Sequence, residues 1–221
     1  MPKDPNGGND DSAQHSRLRV ILAASIGSAL EWYDFFLYGT AAALVFGDLF
    51  FPKSDPLTGT LLAFLTFGVG FVVRPIGGIV LGAYADRYGR RRALSLLIVM
   101  MAFGTLTLGL TPSFATIGIA APIIVVLGRV VQGISIGGEF ASATALLVEH
   151  APANRRMTFG SFQMSSQALG RVLATSIGLS VLLILPAATV QAGAWRIPFL
   201  IGSLIGPFGF YVRYRLGESP E

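Results

Sequence analysis

Glu31, Asp34 and Tyr38 stand at i, i+3 and i+7 in the stretch "GSALEWYDFFLYG", residues 27–39. On a helix that spacing puts all three on one face. The surrounding run, from about residue 19 to 46, is otherwise apolar and long enough to cross a bilayer. An ionised side chain at mid-bilayer costs about 2.5–3.5 kcal/mol on insertion scales, so a sequence keeps one only where it faces protein or water. Desolvation favours the protonated form of a carboxylate, and a nearby arginine favours the ionised form. A site poised between the two takes up and releases a proton as its surroundings change. Asp34 is the first candidate for that chemistry, Glu31 the second, and Glu139 joins them. The competing reading is a salt bridge between helices that never titrates.

Three arginines also fall inside apolar runs. Arg74 precedes Pro75 in "GFVVRPIGG", where the proline frees a backbone carbonyl and the glycines permit a kink or close packing. In "GRVVQGISIGGEF", Arg129, Gly133 and Gly137 are four apart, a small-residue face that lets another helix approach. Gln132 and Glu139 share a neighbouring face. Gln163, Gln167, Arg171 and Thr175 are again four apart, a polar stripe on an otherwise apolar helix that suggests a wet cavity. The fixed donor fork of arginine matches a carboxylate, so these residues point to an anionic solute. Arg74, Arg129, Arg171, Gln132, Gln163, Gln167 and Tyr38 are the candidate solute contacts. The bland alternative is that the same charges are structural locks.

The elements that must position them are membrane helices. Only 13% of the 221 residues are charged, against about a quarter in soluble domains. Six apolar segments are expected at about 19–46, 57–84, 93–111, 117–148, 158–186 and 195–213, punctuated by Pro52, Pro56, Pro112, Pro122, Pro152 and Pro186. β-Barrel strands would alternate over about ten residues instead. Eleven of the 16 Lys and Arg residues lie in the tail, the second and fourth links and the C-terminus, against Lys53 and Arg196 on the other side. By the positive-inside rule both termini are cytoplasmic. The basic balance is thereby explained by topology, and nucleic acid is not an expected partner. Residues 1–17 read as a disordered cytoplasmic tail without a cleavable signal, 18–215 as the transmembrane domain, and 216–221 as the start of a cytoplasmic linker. There are no cysteines, and no metal site or cofactor is expected. No Ser–His or paired-Asp peptidase arrangement is present, and His15 and His150 lie away from mid-span, so an enzyme is not expected.

The link between the second and third segments reads "GAYADRYGRRRAL", residues 82–94. Gly89 permits a turn between Asp86 and Arg90. The order Gly-x-x-x-Asp-Arg-x-Gly-Arg-Arg resembles the signature of the major facilitator superfamily. Arg129-x-x-Gln132-Gly133 resembles its second motif, and Glu149-x-x-Pro152-x-x-Arg155-Arg156 the one closing its fourth span. "LEWYDFFLYG", "WRIPF" and "RYRLGESP" look like the metabolite–proton symporters within it. "LTFGVGFVVRPIGGIVLGAYADRYGRR" looks most like the citrate and tricarballylate carriers. The resemblance covers nearly everything after about residue 18.

The resemblance implies an all-α membrane protein of six transmembrane helices, the N-terminal half of a major facilitator fold built as a 3+3 inverted repeat. Segments 1, 2, 4 and 5 would line the solute path, with 3 and 6 facing lipid more. Gly82, Asp86, Arg87, Gly89, Arg90, Glu149 and Arg155 would form a cytoplasmic gate, Gly82 at a close helix contact. The implied activity is symport of a small organic anion with a proton, most simply a di- or tricarboxylate such as citrate or α-ketoglutarate. It would be driven by the proton gradient across a bacterial inner membrane. The partners are the anion, the proton, the bilayer and a missing C-terminal six-helix half or a second chain. Arg171 departs from the pattern, and either marks an anion preference or locks to Asp34 or Glu31. Rival readings remain: a proline, betaine or shikimate carrier, with Trp32, Tyr33 and Phe35 holding a quaternary ammonium, or a non-transporting subunit or sensor.

Overall fold

The computed structural model describes residues 7–52, 55–149 and 151–215, with side chains from residue 21 onward apart from a few positions that include Arg90. Each expected segment is a long helix: α1 (Gly7–Ala41), α2 (Pro56–Tyr88), α3 (Arg90–Leu110), α4 (Ala120–Glu149), α5 (Arg156–Ile184) and α6 (Arg196–Arg215). Among the described residues, three stretches are long and apolar enough to cross a membrane: Pro56–Tyr88, Arg92–Leu110 and Ala120–Glu139. Helices α1, α5 and α6 have 35, 29 and 20 residues, so even the shortest reaches about 30 Å.

Helix α1 begins at Gly7, ten residues before the end of the segment expected to be a disordered tail. At its other end α1 runs through a π turn, Ala42–Phe46, into a short helix, Gly47–Phe50. Pro56 opens α2, and the Asp55 side chain caps it by accepting from the Thr58 amide at 3.1 Å. Gly89 alone joins α2 to α3, with φ +91°, a conformation that L side chains rarely adopt.

The helices associate in pairs: α1 with α5, α2 with α4, and α3 with α6, while α3 also lies along α4. Advancing every helix number by three exchanges the first two pairs and returns the third to itself. Two three-helix repeats produce that pattern. The α2–α4 crossing is made backbone to backbone. A Cβ on Gly137 would strike the Arg74 carbonyl, one on Gly133 the Gly70 carbonyl, and one on Gly77 the Ile134 carbonyl. Gly170 of α5 meets the Ala29 carbonyl of α1 in the same way. Small residues drive helix association where no hydrophobic effect operates between helices. Gly82, expected at a close helix contact, has open space where its Cβ would be. The α2–α4 approach continues past Gly78 to Leu81, which packs against Gly138, while Gly82 faces away from it.

Rings and aliphatics of α1, α3, α4 and α6 fill the core, among them Tyr33, Leu37, Leu108, Val125 and Phe199, with Phe46 of the π turn and Trp195 just before α6. The apolar stretch of α3 is 56% buried and that of α2 only 22%. The burial pattern leaves faces of both α2 and α5 uncovered within this chain, two of the helices expected to line a solute path.

Candidate functional site

Asp34 is the centre of a closed knot. From α4, Arg129 donates through Nη1 to Asp34 Oδ2 at 2.7 Å, and Gln132 donates through Nε2 to Asp34 Oδ1 at 2.8 Å. From α3, Thr105 lies 2.8 Å from the same Oδ1 and accepts from Gln132 at 3.0 Å. Arg129 Nη1 also donates to Gln132 Oε1. The guanidinium lies over the Tyr38 ring at 4.3 Å and the Phe67 ring at 5.0 Å. Asp34, Thr105 and Gln132 are fully buried, and Arg129 is 2% exposed. Both acid oxygens are thus satisfied by donors from two other helices. A buried pair of this kind is costly to break from one side, because the remaining charge has no partner.

Glu31, one turn earlier on α1, stands in looser surroundings. Arg74 Nη2 of α2 approaches its Oε1 at 4.0 Å, too long for a hydrogen bond. No hydrogen bond reaches Glu31 among the described residues. Glu139 of α4 is buried and close enough for its charge to act on Glu31. The Arg74 side chain is 28% exposed and lies over the Phe71 ring at 4.2 Å, with Nε buried and unpartnered.

Arg171 of α5 is exposed and lies over the Phe36 ring at 4.7 Å and the Trp32 ring at 5.8 Å. It pairs with neither Asp34 nor Glu31. Trp32, Phe35, Phe36, Phe67 and Phe71 form a continuous, partly exposed series of rings between Arg171 and Arg74. The α5 stripe is graded: Gln163 is buried and accepts from Thr144, Gln167 is half-buried, and Arg171 and Thr175 are exposed.

The expected site residues therefore divide. Asp34, Arg129, Gln132 and Tyr38 come together but are closed to a solute in this conformation. Glu31, Arg74 and Glu139 form a second group, and Arg171 flanks it across the rings. Thr105 is missing from the sequence reading because an uncharged threonine in "GTLTLG" gives no cost signal. Its residence on α3, between helices carrying Asp34 and Arg129, was the available clue.

At the expected cytoplasmic gate, Asp86, Arg87, Glu149 and Arg155 are exposed. Among the described residues no ion pair joins Asp86, Arg87 and Arg155. The Arg90 side chain and all of His150 lie outside the described residues. Arg87 rests over the Tyr88 ring at 5.5 Å instead.

The family described as "Sugar (and other) transporter" matches residues 20–221. The inner membrane metabolite transport protein YhjE of Escherichia coli is 40% identical over 206 residues, covering 93% of this chain and 47% of the relative. The citrate-proton symporter of Klebsiella pneumoniae is 40% identical over 210 residues, covering 95% of this chain and 47% of the relative. Relatives at 40–41% identity are also named for shikimate and for proline/betaine, so identity does not separate the solutes. A partially occluded, inward-open xylose transporter XylE from E. coli superposes with TM-score 0.81 at 18% identity, over 93% of this chain and 50% of XylE. The chain spans about half the length of the relatives it matches.

Proposed function

Because the chain belongs to the sugar (and other) transporter family and folds as half of a major facilitator protein, we propose that it is the N-terminal half of a proton-coupled symporter for a small organic acid. The solute class is a di- or tricarboxylate such as citrate or α-ketoglutarate. The membrane is a bacterial inner membrane, with both ends of the six-helix unit cytoplasmic. Its partner is a second six-helix half, in the same protein or on another chain. The proton gradient supplies the drive, and the chain's own acids hold the proton.

One observation carries the reading: the buried Asp34–Arg129 pair, 2.7 Å long, ties α1 to α4, the first helices of the two repeats. With Asp34 ionised, Arg129 pins the two helices. A proton on Asp34 replaces the ion pair by a cation facing a neutral carboxyl and loosens that tie. Proton occupancy and helix arrangement are then linked, as symport requires. On the solute side, citrate, shikimate, proline and betaine share one chemical group, a carboxylate. Arg74 and Arg171 are the mid-helix guanidinium groups open enough to meet it.

The test is uptake of labelled citrate and α-ketoglutarate into proteoliposomes holding the assembled carrier. Accumulation under an inward-directed proton gradient, abolished by a protonophore, is the expected result. Accumulation that ignores the protonophore contradicts symport, and no flux of any carboxylate favours a static subunit. A zwitterion carrier is favoured only by the half-exposed Trp32 and Phe35 rings. Competition by betaine but not by citrate would replace the first reading with that one. The intact mass in native membranes, near 23.4 kDa or near twice that, decides where the second half resides.

A further inference from the structure

We propose that Arg74 anchors the solute's carboxylate and that Glu31 occupies that anchor while the site is empty, so that a bound solute displaces Glu31 and Glu31 takes a proton of its own. This rests on the reading of the chain as half of an organic-acid carrier, and adds a second protonation step to the one at Asp34.

The two acids of α1 differ in how they are held. Asp34 has donors from Arg129, Gln132 and Thr105 within 2.8 Å. Glu31 has one cation at 4.0 Å and no hydrogen bond among the described residues. A charge-assisted N–H···O bond closes to about 2.7–2.9 Å, so the Arg74 fork is not saturated by Glu31. Its Nε is buried without a partner. A carboxylate taken bidentate would use Nε and one terminal nitrogen together.

The base of this anchor is fixed while its head is free. The Arg74 carbonyl is packed against Gly137, so the backbone cannot shift without parting α2 from α4. The guanidinium lies over Phe71, which meets Phe35 at 5.6 Å and Phe67 at 5.3 Å. These rings offer an apolar floor to the body of a carboxylate held by Arg74.

The charged groups acting on Glu31 are Glu139 from α4 and Arg74 from α2. Helix α5 brings Arg171 only to the neighbouring rings, Phe36 and Trp32. Helices α3 and α6 bring no charge to that depth among the described residues. When Arg74 turns to the solute, Glu31 loses its cation and still faces Glu139. It then binds a proton from the water that admitted the solute. The carboxylate of the solute replaces that of Glu31 at Arg74, and the net charge of the site is unchanged.

The experiment is proton uptake on binding, without a gradient, by the assembled carrier in weakly buffered detergent. Citrate, α-ketoglutarate and shikimate are the probes. The wild type is expected to take up one more proton per bound probe than Glu31→Gln, and its log Kd to change with pH by about one unit more steeply. Arg74→Gln should weaken binding about ten- to hundredfold, with partial recovery in Arg74→Lys. An infrared difference spectrum reads the same step directly: adding probe to the wild type should convert one ionised carboxylate to a protonated carboxyl, a change absent in Glu31→Gln. Equal proton uptake in Glu31→Gln, no such infrared change, Arg74→Gln binding within twofold of wild type, or no binding of any probe each overturns the proposal. Failure of symport itself is read separately, as loss of protonophore sensitivity in wild-type uptake.

Discussion

Arg129 and Asp34, 95 residues apart in sequence, close a 2.7 Å ion pair with side chains 2% and 0% exposed. It ties α1 to α4, and its removal from one side leaves a buried charge. Arg129→Gln is therefore expected to destabilise the folded carrier by about 3–5 kcal/mol. Adding Asp34→Asn should restore most of that loss, since no ionised group then remains buried there. Chemical denaturation in detergent micelles measures both. A double variant no more stable than Arg129→Gln alone would mean that the pair is not the source of the cost.

Thr105 completes the knot from α3, lying 2.8 Å from Asp34 and accepting from Gln132 at 3.0 Å. Thr105→Val keeps the shape and removes both. It should cost about 1–3 kcal/mol, because Gln132 loses an acceptor with no water to replace it. Thr105→Ser should stay close to wild type in the same denaturation experiment.

The α2–α4 crossing predicts a contrast between two glycines. Gly137→Ala drives a methyl into the Arg74 carbonyl, whereas Gly82→Ala points into open space. The first should lose about 1–3 kcal/mol and the second stay within about 0.5 kcal/mol of wild type. Equal melting of the two variants would contradict the crossing.

Much of this was legible from residue types and spacing. The six helices follow from apolar runs, and the Gly133–Gly137 face correctly marked a close helix approach. The faces carrying Asp34, Glu31 and the arginines also follow from spacing of three and four. What spacing cannot give is partnership between distant helices. Three arginines and two acids on different helices allow several pairings, and only packing decides that Arg129 meets Asp34 while Arg74 stands off from Glu31. For the same reason spacing did not show that Arg129 is buried against Asp34 in this conformation. Thr105 was silent because a neutral threonine carries no insertion cost to explain. Gly82 meets no neighbour within this half, and its motif position does not say which helix it would face.

At the start of α2, hydrogen bonds from Thr58, first its side chain and then its amide, hold the Asp55 carboxyl below the usual carboxylate range. A depressed folded value means that the cap's contribution is complete above the unfolded value of about 3.9 and is lost as pH falls through the folded value. Protection of the Thr58 amide from hydrogen exchange should fall over that acid range in the wild type. In Asp55→Asn the protection should not vary with pH there. A Thr58 amide equally protected across the range in wild type would refute the cap.

The central claim is that protonation of Asp34 couples the gradient to movement of the solute. The most direct measurement compares gradient-driven uptake with solute exchange at equal pH, for wild type and Asp34→Asn in proteoliposomes. Asp34→Asn imitates the protonated state. It should abolish accumulation under a proton gradient while leaving exchange of internal for external solute substantially intact. Loss of both activities in a folded variant, or retention of both, would contradict the role assigned to Asp34.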